Sequence, residues 1–495
     1  MQTLIESVPA HVSPEALMAT LGPAPGRVLL RSSCFELPQA NLSFVTGDPF
    51  LTLRSWGSRC ELHAPHRPAE VTFGNPWRLL DALLARFELL DEIDQPFPLG
   101  GAFGFWGYDL RRFVEPRLQQ PAHDDLGLPQ CHVGFHDSLA VFDHRHQRIH
   151  LVATGMRADG SRDTHHARRS LDLWKARLAA AAAAEPALNP TPIPGPTPPP
   201  PAPSRSTMDR SSFCRAVEQA QRYIRAGDIY QVNLSQRFQA APVSDPWTFW
   251  QSLHTCSPAP FAAFLDAGDF QLASTSPELF LRLSGHHALT RPIKGTRPRS
   301  ADPTTDAQLT YELQTSPKEI AELVMITDLL RNDLGRIAEF GSVHVPDLLR
   351  LERFAHVQHL VSTVEARLRP GLSHLAALES CFPGGSITGA PKIRAMEIID
   401  ELEPVARGPY TGCAGYLGFN RESQLSILIR TAVTQPHATW YHAGAGIVAD
   451  SDPSAEYDET LAKAHAFFAT APRHQHPPHR ARPAHTRSSR HGPPP

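Results

Sequence analysis

Nowhere in the 495 residues do about 18 uncharged apolar positions follow one another, the length a membrane-crossing helix requires. A membrane protein of that kind is not expected. The first segment, MQTLIESVPAHVSPEAL, lacks a basic stretch followed by an apolar core, so no signal peptide is expected either. Cysteine is sparse and unpatterned. Seven residues stand at 34, 60, 131, 214, 256, 381 and 413, with no C-x-x-C and no Cys/His cluster of zinc spacing. An odd, scattered set argues against a disulfide framework and for a reduced, cytoplasmic compartment. An excess of positive charge is also missing. The formal net charge is −3, which argues against a chain whose main partner is nucleic acid.

What is present is a globular composition, 41% apolar and 20% charged. The length allows two large domains or three smaller ones. The 48 prolines are uneven. PALNPTPIPGPTPPPPAP, from Pro186 to Pro203, suits a polyproline spacer better than any packed element. Ala471 to Pro495 is rich in Arg, His and Pro without an acidic residue, and reads as a solvated tail. The expected division is therefore 1–185, a linker at 186–204, a body at 205–470 and a tail at 471–495. Short apolar runs (Arg27–Arg31, Leu42–Val45, Ser138–Phe142, Phe270–Ser274, Leu279–Leu283, Leu425–Thr434) predict antiparallel strands. Helical patterns are expected at 77–90, 163–184, 211–226, 316–334 and 454–469. Strands and helices in groups indicate an α+β fold with large antiparallel sheets.

Five local features carry chemistry. Glu319 and Glu322 stand three apart on one predicted helix, and Glu456 and Glu459 on another. Such pairs can surround a hard cation such as Mg²⁺, but on spacing alone solvated helix faces with a Glu–Lys pair are the favoured reading, because Glu pairs are common. In RPIKGT, Lys294 lies between Ile293 and Gly295, where desolvation would lower its pKa and free a nucleophilic amine; a surface lysine in a turn is the plainer alternative. Glu278, after a Ser-Thr-Ser-Pro turn, suits a general acid or base, or simply a strand start. PGGSITGAPK lacks the Walker and dinucleotide fingerprints and predicts a tight turn before a helix near Ile393. Arg430, within the apolar run ILIRTAV, calls for an anion if buried.

These segments together resemble the chorismate-utilising enzymes: anthranilate synthase, aminodeoxychorismate synthase and isochorismate synthase. The resemblance rests on SPELF, RPIKGT, KEIAELVMITDLLRNDLGRI, HVQHLVSTVEARL, FPGGSITGAPKIRAMEIIDELEP, GPYTGCAGYLGF, SILIRTAV and AGAGIVADSDPSAEYDETLAKA, in that order across about 205–470. The N-terminal half is similar more weakly, through PFPLGGAFGFWGYDL and VFDH. The family implies two large antiparallel sheets packed as a sandwich with helices outside. Two departures stand out. Leu323 replaces a polar residue after the second glutamate, and Ala445 a glycine, which would alter backbone room near the substrate.

Within the family, the residue before Gly-Thr in PI-x-GT separates the branches. Alanine is usual in anthranilate synthases; the lysine found here, Lys294, is usual in enteric aminodeoxychorismate synthases. The resemblance thus implies amination of chorismate to 4-amino-4-deoxychorismate, toward p-aminobenzoate and folate. It implies Mg²⁺ on Glu319, Glu322, Glu456 and Glu459. It gives Lys294 the role of nucleophile at C2, Glu278 that of acid or base, and His359 a place beside the ring. Thr296, Tyr410, Arg430, Gly446 and Lys463 would bind substrate. No glutaminase nucleophile turn occurs, so ammonia is expected from a separate glutamine amidotransferase subunit. A tryptophan pocket, as in some relatives, would involve Ser32, Pro260, Phe261 and Ala262. Anthranilate synthase component I, which eliminates pyruvate, is the alternative enzyme. A non-catalytic chorismate- or tryptophan-binding subunit is the alternative from another class; it predicts a broken metal site.

Overall fold

The computed structural model describes residues 2–184 and 205–472, apart from 36, 38, 93, 119–121 and 354–356. The expected Pro-rich linker and nearly all of the basic tail lie outside the described residues. Among the described residues two antiparallel sheets of twelve strands each form the frame, eleven of each in a row and one branching off: Gly389–Ala390 pairs with Gln231–Ala240, and His344–Arg353 with Val357–Arg367. The first runs from Leu4–Pro9 through Arg148–Ala153, Ser138–Asp143, Leu42–Thr46, Val28–Arg31, Phe261–Asp266, Gln271–Ser276, Thr431–Gln435 and Ala438–Ile447 to Gln231–Ala240 and Arg205–Ser206. The second runs from Ile293–Pro298 through Val357–Arg367, His287–Arg291, Leu279–Ser284, Glu422–Ile427, Cys413–Gly418, Gly101–Trp106 and Cys131–His136 to Leu51–Trp56, Arg59–His63 and Glu70–Phe73. Strands from both sides of the Pro-rich segment enter each sheet. Val28–Arg31 pairs with Phe261–Asp266, and Gly101–Trp106 with Cys413–Gly418.

Period-two alternation makes the layers. In Ser138–Asp143, Leu139 and Val141 join the main core, whereas Ala140 and Phe142 join a second core on the opposite face. Phe44 of the first sheet meets Tyr416 of the second in the main core, ring centroids 4.9 Å apart. Helices Thr164–Ala184, Pro246–Cys256 and His465–Thr470 close the outer core with Trp174, Trp250 and Phe467. The fold is thus the α+β sandwich that the sequence indicated.

Three expectations change. The run 425–434 is not one strand. Glu422–Ile427 belongs to the second sheet and Thr431–Gln435 to the first, so the chain crosses between sheets at 428–430. Arg430 sits at that crossing with φ of 50°, unusual for a non-glycine residue. A continuous apolar run has no period to mark such a break. The helix expected over 454–469 is divided at Ala464 into Pro453–Lys463 and His465–Thr470. On helix Pro317–Gly335 the sequence period puts Ile320, Leu323, Val324, Thr327 and Leu334 on one inward stripe, with Arg331 the exception; instead Val324 is exposed, while Leu323, Ile326, Thr327, Leu330 and Leu334 are buried.

Candidate active site

The strand Ile293–Pro298 and the helix Pro317–Gly335 bring Lys294 and Glu322 together, Nζ to Oε1 at 2.8 Å. Gln231 donates to the same Oε1 at 2.7 Å. The backbone carbonyl of Ser386 accepts from Lys294 at 3.4 Å, and the Ser386 hydroxyl donates to Glu278 at 2.5 Å. A nucleophile candidate and an acid candidate therefore share one serine. Gly446 closes the same place. A Cβ there would lie 2.4 Å from Gln231 Nε2 and 3.1 Å from Glu322 Oε1, so only glycine fits without displacing them. Ala445 points the other way, into a core of helices Arg210–Ala226 and Lys392–Leu402, so its methyl takes no room from the site. Leu323 likewise packs against Leu313 and Leu360.

Burial alone would lower the pKa of Lys294, as the sequence suggested. The charge and hydrogen bond of Glu322, with Glu278 and Glu459 beyond, outweigh it and raise the pKa instead. The expected depression is thus not seen, because the neighbouring carboxylates were invisible to a reading of Ile293 and Gly295. Glu322 is held below the usual carboxylate range: burial pushes it up, but Lys294 and Gln231 prevail. Glu278 goes the other way. Burial raises its pKa despite the Ser386 bond and the charges of Lys294 and Lys463, which favours a protonated carboxyl able to give a proton.

The other glutamates also have cationic partners. Arg297 lies 3.3 Å from Glu319, Lys318 3.5 Å from Glu456, and Lys463 2.7 Å from Glu459. Lys463 also donates to the Gly444 carbonyl at 2.9 Å. Among the described residues, no three His, Cys, Asp or Glu side chains converge as a metal cage. The donor set nevertheless suits a hard cation, since it is all carboxylate oxygen. Glu456 accepts from Ser451 through Oε1, while its buried Oε2 has no hydrogen-bond partner and is open to a cation.

Beside this centre, Thr296 Oγ1 and His359 Nδ1 are 2.9 Å apart. Burial first, then the charge of Arg430, holds the His359 pKa down to about 4, so the ring is neutral at physiological pH. Arg430 has its own pKa lowered by burial, and Tyr441 is its main neighbour of opposite tendency. No carboxylate pairs with its guanidinium among the described residues, which leaves its charge available to an anion. The Tyr410 ring stacks on His442, centroids 4.9 Å apart, and its hydroxyl comes within 2.9 Å of where a Cβ on Gly444 would stand. All the expected catalytic and binding residues thus border one region. Ser32, Pro260, Phe261 and Ala262 lie elsewhere, and all four line a single small recess of about 30 Å³ between the sheets, with Arg31, Phe44, Tyr416 and Gln424.

Three residues escaped the sequence reading. Gln231 carried no signal, because glutamines on strands are ordinary. Lys318 precedes Glu319 and reads as a solvated helix residue. Ser386 lies inside a segment already singled out for its glycines, and its place between them was the available clue.

A sandwich of this size, with a half-buried lysine among carboxylates and an arginine that has no carboxylate partner among the described residues, defines a class of enzyme acting on an anionic small molecule. The comparisons with known proteins specify it. Residues 46–469 match the model of the chorismate binding enzymes, and the chain belongs to that family. It is 39% identical over 450 residues to aminodeoxychorismate synthase component 1 of Salmonella typhimurium, covering 91% of this chain and 94% of that one. It is 44% identical over 375 residues to anthranilate synthase component 1 of Thermus thermophilus, covering 76% and 78%. The crystal structure of anthranilate synthase component I from Streptococcus pneumoniae superposes with a TM-score of 0.74 at 32% identity, covering 87% of this chain and 93% of that one. Relatives of both branches therefore match over most of their length.

Proposed function

We propose that this chain aminates chorismate at C4, as component I of an aminodeoxychorismate synthase. The observation that carries the reading is Lys294: its amine stands at the centre of the site, in contact with Glu322 and the Ser386 loop. In the proposed reaction the neutral amine of Lys294 forms a bond to C2. Both ring double bonds shift, and the C4 hydroxyl departs as water with a proton from Glu278. Ammonia then bonds to C4 and gives a proton back to Glu278, the double bonds return and the neutral lysine amine leaves; the net change is chorismate plus ammonia to 4-amino-4-deoxychorismate plus water. Arg430, Tyr410 and Lys463 hold the enolpyruvyl carboxylate, Thr296 and Gly446 bound the substrate, and His359 lies against the ring.

Glu319, Glu322, Glu456 and Glu459 would hold Mg²⁺, in exchange for their present cationic partners. When bound, the ion supplies positive charge against the ring carboxylate. The two curated relatives above are each called component 1, which supports a separate subunit as the source of ammonia. The recess lined by Ser32 and Phe261 is our candidate for tryptophan, which its lining side chains would have to open to admit. The test is turnover of chorismate with ammonium and Mg²⁺, followed by product separation. Conversion of the product to p-aminobenzoate by an added lyase supports the reading; anthranilate with stoichiometric pyruvate overturns it in favour of the other branch.

A further inference from the structure

Arg407 is almost wholly buried, and every polar contact it makes leads to a segment bordering the site. Its guanidinium forks onto Glu403, Nη2 to Oε1 at 2.7 Å and Nε to Oε2 at 2.9 Å. Nη1 donates to the Ile387 carbonyl at 3.0 Å and to Thr411 Oγ1 at 3.2 Å, and Nη2 to the Asn233 carbonyl at 2.7 Å. Glu403 in turn accepts from the backbone N–H of Ser235 at 2.8 Å and from its hydroxyl at 2.9 Å. Arg407 Cζ also lies over two rings, 4.9 Å from the centroid of Tyr108 and 5.5 Å from that of Tyr410. A buried arginine with all its directions used is a rigid bracket, because a planar fork loses little freedom for each bond it makes.

The bracket holds three pieces at once. Ile387 follows Ser386, whose hydroxyl and carbonyl touch Glu278 and Lys294. Asn233 is two residues from Gln231, which holds Glu322. Thr411 follows Tyr410, whose ring the guanidinium supports. Arg407 itself touches none of the proposed reacting groups. We infer that Arg407, clamped by Glu403, is a positioning residue that holds the Ser386 loop so that Glu278 and Lys294 face the substrate together. The inference rests on the proposed function for the identity of the reaction, and its geometry does not depend on which product forms.

The test uses the full chain with chorismate, ammonium and Mg²⁺, and follows chorismate consumption as well as product. Arg407→Lys keeps the charge and removes the fork. Glu403→Gln keeps the shape and loosens the clamp, and serves if the first variant does not fold. Folding is checked by circular dichroism below the Tm of each variant. In a folded variant, kcat falls at least about tenfold while KM for chorismate changes less than about threefold, the signature of lost alignment rather than lost binding. In a Ser386→Ala background the same substitution costs less than it does in the wild type, because the hydroxyl link to Glu278 is already gone while only the carbonyl contact to Lys294 remains to be lost. Wild-type kcat in a folded variant, or losses that simply multiply with Ser386→Ala, would overturn the role. A wild-type chain that does not consume chorismate would instead sink the proposed function, and a different product would correct its branch alone.

Discussion

Lys294 is the residue on which the chemistry turns, and its surroundings work in two directions. Burial favours a neutral amine, while Glu322 at 2.8 Å holds the ammonium. Attack on carbon needs the neutral form, so the pair must open before reaction. Lys294→Arg retains positive charge opposite Glu322 but is not a nucleophile at accessible pH. It is expected to lose activity as fully as Lys294→Ala, by about a hundredfold or more; strong retention by the arginine variant in a steady-state assay would show that a fixed cation suffices. Glu322→Gln removes the charge shared by Lys294 and the proposed metal site. Turnover is expected to fall by at least about a hundredfold, with the Mg²⁺ requirement shifted upward; near-normal rates at limiting Mg²⁺ would place the ion elsewhere. Much of this site was legible in the sequence, because the i,i+3 glutamates and PIKGT are local patterns. Gln231, Lys318 and the second role of Ser386 were not. Each matters only through a partner far along the chain, such as Glu322, 91 residues from Gln231.

At the scale of elements, two features set the site. The strand Ala438–Ile447 carries Gly446 against Gln231 and Glu322, and the crossing at 428–430 turns Arg430 out of the sheet register. Gly446→Ala places a methyl against the end of Gln231, a flexible side chain that can move at little cost to folding. The Tm is therefore expected to stay within a few degrees, about 1 kcal/mol. Activity should drop by at least about tenfold, as Gln231 carries Glu322 with it. A variant with normal kcat would show that this close approach is incidental. The crossing explains what sequence could not show. SILIRTAV has apolar residues on both sides of Arg430, its first part buried in one sheet and its last in the other, and burial on both sides erases the alternation that would reveal the break. The helix starts were easier to read: Asp452 caps Pro453–Lys463 by accepting from the Ala455 N–H, as its place before a proline suggested.

Across the whole molecule, both sheets cross the Pro-rich segment, so stability is shared between the two halves rather than divided at the linker. Buried histidines give that stability a pH dependence. Burial, with smaller effects of Glu15 and Arg31, holds His254 down to about 4, below the ordinary value of 6.5. The unfolded chain binds this proton first as pH falls, so the residue's contribution is complete above 6.5 and is lost between 6.5 and 4. The slope is at most about 1.4 kcal/mol per pH unit. Raised carboxyls such as Glu278 and Glu422 act oppositely, so the difference between variants is the measurement to make. His254→Phe keeps a ring on Trp250 and should show a flatter fall of Tm from pH 6.5 to 4 than the wild type; parallel curves would contradict the assignment. With glutamine as the only nitrogen source, the purified chain is expected to be inactive until a glutaminase subunit is added, and glutamine-dependent turnover by the chain alone would contradict a separate ammonia source. No helix among the described residues is long and apolar enough to cross a membrane. The most direct test of the account is the position at which nitrogen enters the ring. Chorismate turned over with ¹⁵N-ammonium and Mg²⁺, and read by NMR of the quenched product, should carry the label on C4 with the enolpyruvyl group retained. Label on C2, accompanied by free pyruvate, would contradict it.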